Sequence, residues 1–380
     1  MRFLHIIILT SLFAWAQAQD DNYLVTKLSH HKEVVTALSF NKSGTLLATA
    51  SAEKDLVLVN TADWTVLNTY TNYYVIDDMR FTTDETLLHT SGKAIKYIDI
   101  QNNELELYEG SATYVLKIDY SLDSDRLVGA SYNKQLWVWD LTSGDMVAVL
   151  EGHEKNAQTV AISSSLPYVV SGSVDGSIRV WNLLKNETKF VIERHVKAIY
   201  DVAFHPNGKY FLSCSADRNI RLWDATTGNF LKAYVGHKQD VVKVAFTSDG
   251  EHFFSASADG TVNVWQTRTG EAIYSFIDHE GVVSSLAVSP DDKYLATGGE
   301  DAKVFIYDID KKLFVVESDP EAYEVFKNGN AVFDEKRKGE KKEEYENRMK
   351  RASKVEREWI EQQYTKYISN LKSHTYNEGN

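Results

Sequence analysis

Cysteine is almost absent. The single cysteine, Cys214, excludes an intramolecular disulfide. Its neighbours, Leu212 to Ala216, read as a buried strand, which makes it a core thiol rather than a reactive one. Proline is also scarce, at four residues in 380, so little in the chain interrupts strand pairing. Positive charge is outnumbered: 41 Lys and Arg stand against 54 Asp and Glu, a net charge of -13. A chain this acidic repels phosphate backbones, which argues against nucleic acid as a partner. The acidity reads as a solubility feature. Beyond the first residues no run is apolar enough to span a bilayer, so no stable membrane span is expected. The common signatures of chemistry are missing too. There is no Gly-x-Gly-x-x-Gly, no P-loop, no His-Glu-x-x-His, no cysteine pair and no Gly-x-Ser-x-Gly. The expectation is no catalytic residue, no cofactor and no metal. His30 and His31 are adjacent, and neighbours on a strand point to opposite faces, so they are not expected to converge.

Strand formers are plentiful, with 21 Tyr, 16 Phe and 8 Trp. The chain also repeats itself. Trp139, Trp181, Trp223 and Trp265 follow one another at a step of 42 residues, and Tyr97 and Tyr307 extend the series at either end. His153, His195, His237 and His279 keep the same step, as do Asn133, Asp175, Asp217, Asp259 and Asp301. Within one period, Val241–Phe246, His252–Ser257 and Thr261–Trp265 read as strands, with turns at Ser248-Asp249-Gly250 and Asp259-Gly260. A fourth strand follows at Glu271–Phe276. Four strands per period make one antiparallel blade, and a ring of such blades leaves few exposed edges. Seven units can be counted. The first runs from His31 to Val59, with Val59 in the Trp position. The second ends its third strand at Tyr97 and has a shortened hairpin at Ser91-Gly92-Lys93. The fold class is therefore all-β, a seven-bladed propeller of four-stranded blades. Tyr23–Leu28 and Leu313–Glu317 compete to supply the outer strand that closes the ring, and Tyr23–Leu28 is favoured.

The pattern of Gly-His, a strand, Ser-x-Asp and then Trp-Asp resembles the WD-repeat family. Trp139-Asp140 and Trp223-Asp224 carry it, with Trp181-Asn182, Trp265-Gln266 and Tyr307-Asp308 as variants. The resemblance covers residues 22–318. It implies a structural hydrogen-bond network in each unit: His153, Asp175 and Trp181; His195, Asp217 and Trp223; His237, Asp259 and Trp265. A strand hydroxyl joins each set, in the fifth unit either Ser213 or Ser215. His279 and Asp301 are present in the seventh unit, where Tyr307 replaces Trp. Units one to three lack complete sets and are expected to be less rigid. The resemblance further implies protein binding at the end of the channel where loops enter the inner strands. The matching positions are Tyr114, Leu116 and Tyr132 in the third unit, flanked by Val75, Asp77, Asn156, Gln158 and Val174, with Tyr200, Asp240 and Glu300 further round. Two tyrosines and a leucine rimmed by polar residues have the make-up of a binding hot spot.

The ends differ from the repeats. Residues 1–18 have Arg2, an apolar run from Phe3 to Trp15 and a small-x-small site at Ala16-Gln17-Ala18, the layout of a secretory signal peptide. Cleavage would start the mature chain at Gln19 and make the protein exported, periplasmic or secreted. The propeller is expected over 19–318 and a charged, mainly helical tail over 319–380. Glu344–Arg348, Glu346–Lys350 and Arg357–Glu361 are opposite-charge pairs four residues apart, which supports a long helix over 341–373. Two Asn-x-Ser/Thr triplets, at Asn41 and Asn186, fall in turns. Three readings of function follow. The leading one is an exported non-catalytic scaffold that binds protein. The second is an exported propeller hydrolase or oxidoreductase using the channel mouth, where Asp77, Asp240 and Glu300 could gather. The third is a structural part of a cell-envelope assembly.

Overall fold

The computed structural model describes residues 23–101, 105–309 and Trp359. The signal segment, the alternative closing strand at Leu313–Glu317 and the helical tail apart from Trp359 lie outside the described residues. Among the described residues, twenty-eight strands form seven four-stranded antiparallel sheets. Six sheets use four consecutive strands. The seventh has the order β1-β28-β27-β26 and so joins the two ends of the ring. Here β1 is Leu24–Leu28, β26 is Val283–Val288, β27 is Tyr294–Gly299 and β28 is Val304–Asp308. Thr26, Lys27 and Leu28 of β1 face Ile306, Phe305 and Val304 of β28. The favoured closing strand is thus the one that pairs, and the Tyr23 carbonyl also accepts the Asp308 N–H at 2.7 Å.

The innermost strands are β2 (Val35–Phe40), β6 (Met79–Phe81), β10 (Val115–Ser121), β14 (Ala157–Ile162), β18 (Ile199–Phe204), β22 (Val241–Phe246) and β26. Across the ring junction, Ser284 Oγ of β26 donates to the Val35 carbonyl of β2 at 2.6 Å. Sheet faces pack against the next blade, so each core cluster is shared. One gathers Val170 and Val180 of blade four with Phe211 and Trp223 of blade five. Of the periodic aromatics, Trp139, Trp181, Trp223, Trp265 and Tyr307 are buried to within about 1%, and Tyr97 is partly buried. Large apolar side chains at these seams hold neighbouring blades together, and truncating one would cost about 3–5 kcal/mol. Cys214 lies in the same layer, fully buried. Burial pushes its thiol well above the ordinary range.

Six of the seven inner pairings break register at the same place. In β10 the break falls between Val115 and Lys117, in β14 between Ala157 and Thr159, and in β18 between Ile199 and Asp201. Each is a bulge that re-aims the extra residue. The bulged residues are Leu116, Gln158 and Tyr200. In the second blade the inner strand is short, and Asp77 precedes it.

Candidate functional site

The regular units carry a four-membered network. In the fifth, Trp223 Nε1 donates to Ser213 Oγ at 2.8 Å, and that oxygen lies 2.7 Å from His195 Nε2. His195 Nδ1 is 2.8 Å from Asp217 Oδ2. A consistent proton arrangement has the serine hydroxyl donating to Nε2 and the Nδ1–H donating to the carboxylate. Ser213 is the bridging hydroxyl; Ser215 instead accepts the Asp217 N–H at 3.0 Å. Trp181, Ser171, His153 and Asp175 repeat the arrangement, with a longer His153–Asp175 contact of 3.5 Å. So do Trp265, Ser255, His237 and Asp259. In the seventh unit His279 joins Thr297 and Asp301, and the Tyr307 hydroxyl turns away to Asp278 at 2.8 Å. Burial opposes the ionised form of Asp217, but hydrogen bonds from His195 and the nearby imidazole hold its carboxyl well below the usual range. These are satisfied buried polar groups, which serve the fold.

One sequence expectation needs correction here, and another gains detail. His30 and His31 do converge: both place Nε2 at 2.8 Å from Thr49 Oγ1, with ring centroids 4.4 Å apart. The reason is that β1 ends at Leu28, so strand alternation does not govern them. The first unit is also more complete than its missing Trp suggested. His31 Nδ1 lies 3.1 Å from Glu53 Oε1, a glutamate in place of the usual aspartate. Only the aromatic member is replaced, by buried Val59. The third unit, by contrast, keeps Trp139 but has lost the rest. Gly129 occupies the hydroxyl position, so the Trp139 indole donates to the Glu109 carbonyl at 2.8 Å instead.

At the entry end of the inner strands, the sequence-selected residues separate into groups. Tyr114 and Tyr132 are adjacent, joined by a Tyr132 N–H to Tyr114 carbonyl bond of 3.1 Å, and are 44% and 52% exposed. Leu116 beside them is half-buried. Two further tyrosines, missed by sequence reasoning, complete the group. Tyr74 meets Tyr114 edge-on at 5.8 Å, and Tyr73 meets Tyr74 at 4.8 Å. Tyr73 is 79% exposed and Tyr74 39%. The Tyr74 ring lies over Gly92, where a Cβ would come within 2.9 Å of it. The shortened hairpin makes that space, because Ser91 pairs directly with Ala94. The other selected residues are engaged locally. The Tyr200 hydroxyl donates to Asp240 at 3.3 Å, and Glu300 accepts the Val282 N–H at 3.3 Å. The Asn156 carbonyl accepts the Val174 N–H at 3.1 Å. Gln158 is half-buried, as is Asp77, whose carboxyl is pushed up to about 6 by burial and by Asp78.

The channel wall holds a second cluster that sequence reasoning did not single out. At one level, successive inner strands present Ala37, Asp78, Lys117, Thr159, Asp201, Lys243 and Ser285. Three of these stitch each blade to the next: Asp78 accepts the Ile118 N–H, Thr159 the Val202 N–H and Asp201 the Val244 N–H, at 3.1 to 3.3 Å. Lys117 Nζ sits 2.8 Å from Asp201 Oδ1, both buried. Two residues further along each strand, Ser39, Arg80 and Asp119 face Ala161, Ala203, Ala245 and Ala287. Arg80 bonds Asp78 at 3.0 Å, and Asp119 accepts the Ile162 N–H at 2.8 Å. A cavity of about 470 Å³ opens among these groups toward the exit end of the inner strands, past Ser164, His205, Pro206 and Ser248. The signal in sequence was a charged residue inside an apolar strand, as in Val-Val-Lys243-Val-Ala-Phe, recurring at the repeat step.

No helix among the described residues is long and apolar enough to cross a membrane. A search of curated proteins finds no match to the chain. The family described as WD domain, G-beta repeat matches residues 22–60, 144–182, 186–224, 228–266 and 270–308. The matched segments include the first unit despite its Val59 and omit the third despite its Trp139-Asp140. With five matched repeats spread around seven four-stranded blades, the chain belongs to the WD-repeat family of β-propellers.

Proposed function

We propose that the protein is an exported, non-catalytic scaffold that binds another protein through the tyrosine group at the entry end of the channel. WD-repeat propellers generally mediate protein–protein interaction. The observation that carries the reading is the cluster Tyr73, Tyr74, Tyr114 and Tyr132, four neighbouring aromatic side chains each more than a third exposed. Large rings gathered at a solvent face, with polar tips, are what protein interfaces use as anchors. Nearby, Lys54 Nζ stands 5.9 Å from the Tyr73 ring centre, a polar rim to the patch. Export rests on the layout of residues 1–18.

The test is affinity capture from the native envelope fraction, using the mature chain, a Tyr74→Ala/Tyr114→Ala/Tyr132→Ala variant and a truncation at Asp319. Loss of a partner in the triple variant, with retention in the truncation, supports the reading. Retention in the triple variant overturns the tyrosine face. Export is checked separately by N-terminal sequencing of the exported protein, which should begin at Gln19.

A further inference from the structure

The tyrosine face differs from the rest of the entry end in its charge. At the hairpin tips of blades one, two and three stand Lys54, Lys93 and Lys134, all exposed. The corresponding tips of the other blades carry Gly176, Arg218, Gly260 and Ala302. Hairpin carboxylates thin out in the same sector. Blades four to seven have Asp175, Asp217, Asp259 and Asp301, whereas blade three has Asn133 and the shortened hairpin of blade two has no counterpart. Blade one keeps Glu53, but its carboxylate lies 3.1 Å from His31 Nδ1 and accepts the Lys32 N–H at 3.2 Å. Asp55 beside it accepts the Thr71 hydroxyl at 2.8 Å.

Each of the three lysines belongs to a tyrosine. Lys54 Nζ stands 5.9 Å from the Tyr73 ring centre. Lys93 follows Gly92, over which the Tyr74 ring lies. Lys134 is two residues beyond Tyr132 in the same hairpin. In the loops that carry Tyr73, Tyr74 and Tyr114, Asp78 is buried and Asp77 is half-buried toward Lys243 of the channel, which leaves Glu109 as the exposed acid. Three exposed cations therefore face one exposed anion, on a chain whose net charge is -13. The tyrosines add donors. None of their four hydroxyls bonds another described residue, whereas those of Tyr200, Tyr234 and Tyr307 are all engaged. Ammonium and phenol groups around exposed rings select an occupant that brings carboxylates and an apolar anchor. A long polyanion suits the site poorly, because beyond this sector it would meet an acidic protein.

We propose that the tyrosine face takes an acidic peptide segment of the partner, in which Asp and Glu side chains pair with Lys54, Lys93 and Lys134 on either side of an aromatic or aliphatic residue seated among Tyr73, Tyr74, Tyr114 and Tyr132. The inference rests on this face being the binding face and adds the chemistry of what binds there.

Fluorescence anisotropy of labelled peptides with the whole chain tests it. The acidic probe is Glu-Asp-Phe-Glu-Asp-Leu repeated twice. Its comparisons are Lys-Arg-Phe-Lys-Arg-Leu, the anchorless Glu-Asp-Gly-Glu-Asp-Ser, both repeated twice, and an oligothymidylate of the same length. The expected result is saturable binding of the acidic probe alone, weakened at least about tenfold when salt is raised from 50 to 500 mM. Lys54→Gln/Lys93→Gln/Lys134→Gln should weaken the acidic probe at least about tenfold, and the triple change to Glu should transfer binding to the basic probe, with thermal unfolding showing both variants folded. Tyr74→Ala/Tyr114→Ala/Tyr132→Ala should abolish binding of every probe. Undiminished binding in the lysine-to-glutamine variant, with loss in the tyrosine variant, overturns the acidic assignment and leaves the tyrosine face standing. Undiminished binding in the tyrosine variant overturns both. No binding of the acidic probe by the wild type, or equal binding of the basic probe, the anchorless probe or the oligothymidylate, also overturns the proposal.

Discussion

Trp223 and His195 meet edge-on, with ring centroids 6.4 Å apart, and one oxygen serves both: Ser213 Oγ accepts the indole N–H at 2.8 Å and lies 2.7 Å from the imidazole Nε2. All of these groups are buried. Ser213→Ala would leave a buried indole donor and an imidazole nitrogen without partners. The expected loss is about 1–3 kcal/mol, read as a shift in the urea midpoint. Thr49→Val in the first blade should cost less for lack of an indole, although two imidazoles depend on that hydroxyl. An equal or larger loss there would show that the histidine, not the tryptophan, dominates the network.

The same networks are expected to set a rigidity gradient. Blades four to six hold complete sets, the first holds His31, Thr49 and Glu53, and the third routes Trp139 to a backbone carbonyl. Amide exchange should be slowest in β15 (Tyr168–Ser173), β19 (Tyr210–Ser215) and β23 (His252–Ser257), and faster in β11 (Arg126–Ser131). Uniform protection across these strands would show that apolar seams alone set local stability.

Stability should fall on mild acidification. Burial, chiefly, lowers His30 and His89 to about 4, with His31 adding to the effect at His30 and Lys96 at His89. Their unfolded value is about 6.5. Between these limits the unfolded chain binds protons that the folded chain refuses, so stability declines as pH falls from about 6.5 to about 4 and this contribution then levels off. Asp175, Asp217 and Asp259 act in a lower window. Their folded values lie below the unfolded ones, so their contribution is complete above about pH 4 and is lost as pH drops further. Urea midpoints measured from pH 7 to 4.5 should fall steadily, and less steeply in His89→Gln. An unchanged slope in that variant would remove His89 from the account.

Much of this was legible in the sequence because a propeller repeats its physics. The step between Trp181, Trp223 and Trp265 reports one buried position seen again and again, and the closing role of Tyr23–Leu28 follows from its place just before His31. The identity of the bridging hydroxyl was not legible, because Ser213 and Ser215 share a face of β19 and only the register across to Trp223 separates them. The convergence of His30 and His31 was hidden by a strand that ends two residues early. Lys117 and Asp201 were passed over because each is a lone charge in its own strand, and they come together only when the ring closes.

Ring closure itself is testable. Removing residues 23–28 would expose the full edge of β28 and uncover the core around Leu28, Val304 and Ile306. The expected loss is at least about 3 kcal/mol, comparable to truncating a core side chain. Concentration-dependent association through the freed edge should accompany it, read by size-exclusion chromatography. A truncated chain that stays monomeric and unfolds at the wild-type midpoint would mean that β1 adds little beyond covering the edge.

Gly92 links the fold to the tyrosine face. It sits at φ +65°, a left-handed conformation, and a Cβ would press 2.9 Å from the Tyr74 ring. Two penalties therefore act on Gly92→Ala: backbone strain of about 1–2 kcal/mol, and displacement of an aromatic ring. The ring can move outward, since Tyr74 is partly exposed, but doing so breaks its edge contact with Tyr114. The expected outcome is a modest drop in the urea midpoint together with weakened capture of the partner. Gly44→Ala provides the comparison. It has a similar φ of +72° and no neighbour closer than 3.8 Å, so it carries the strain without the aromatic displacement. If both substitutions weaken capture equally, backbone strain is the cause. If only Gly92→Ala does, the position of Tyr74 on the face is what the partner reads.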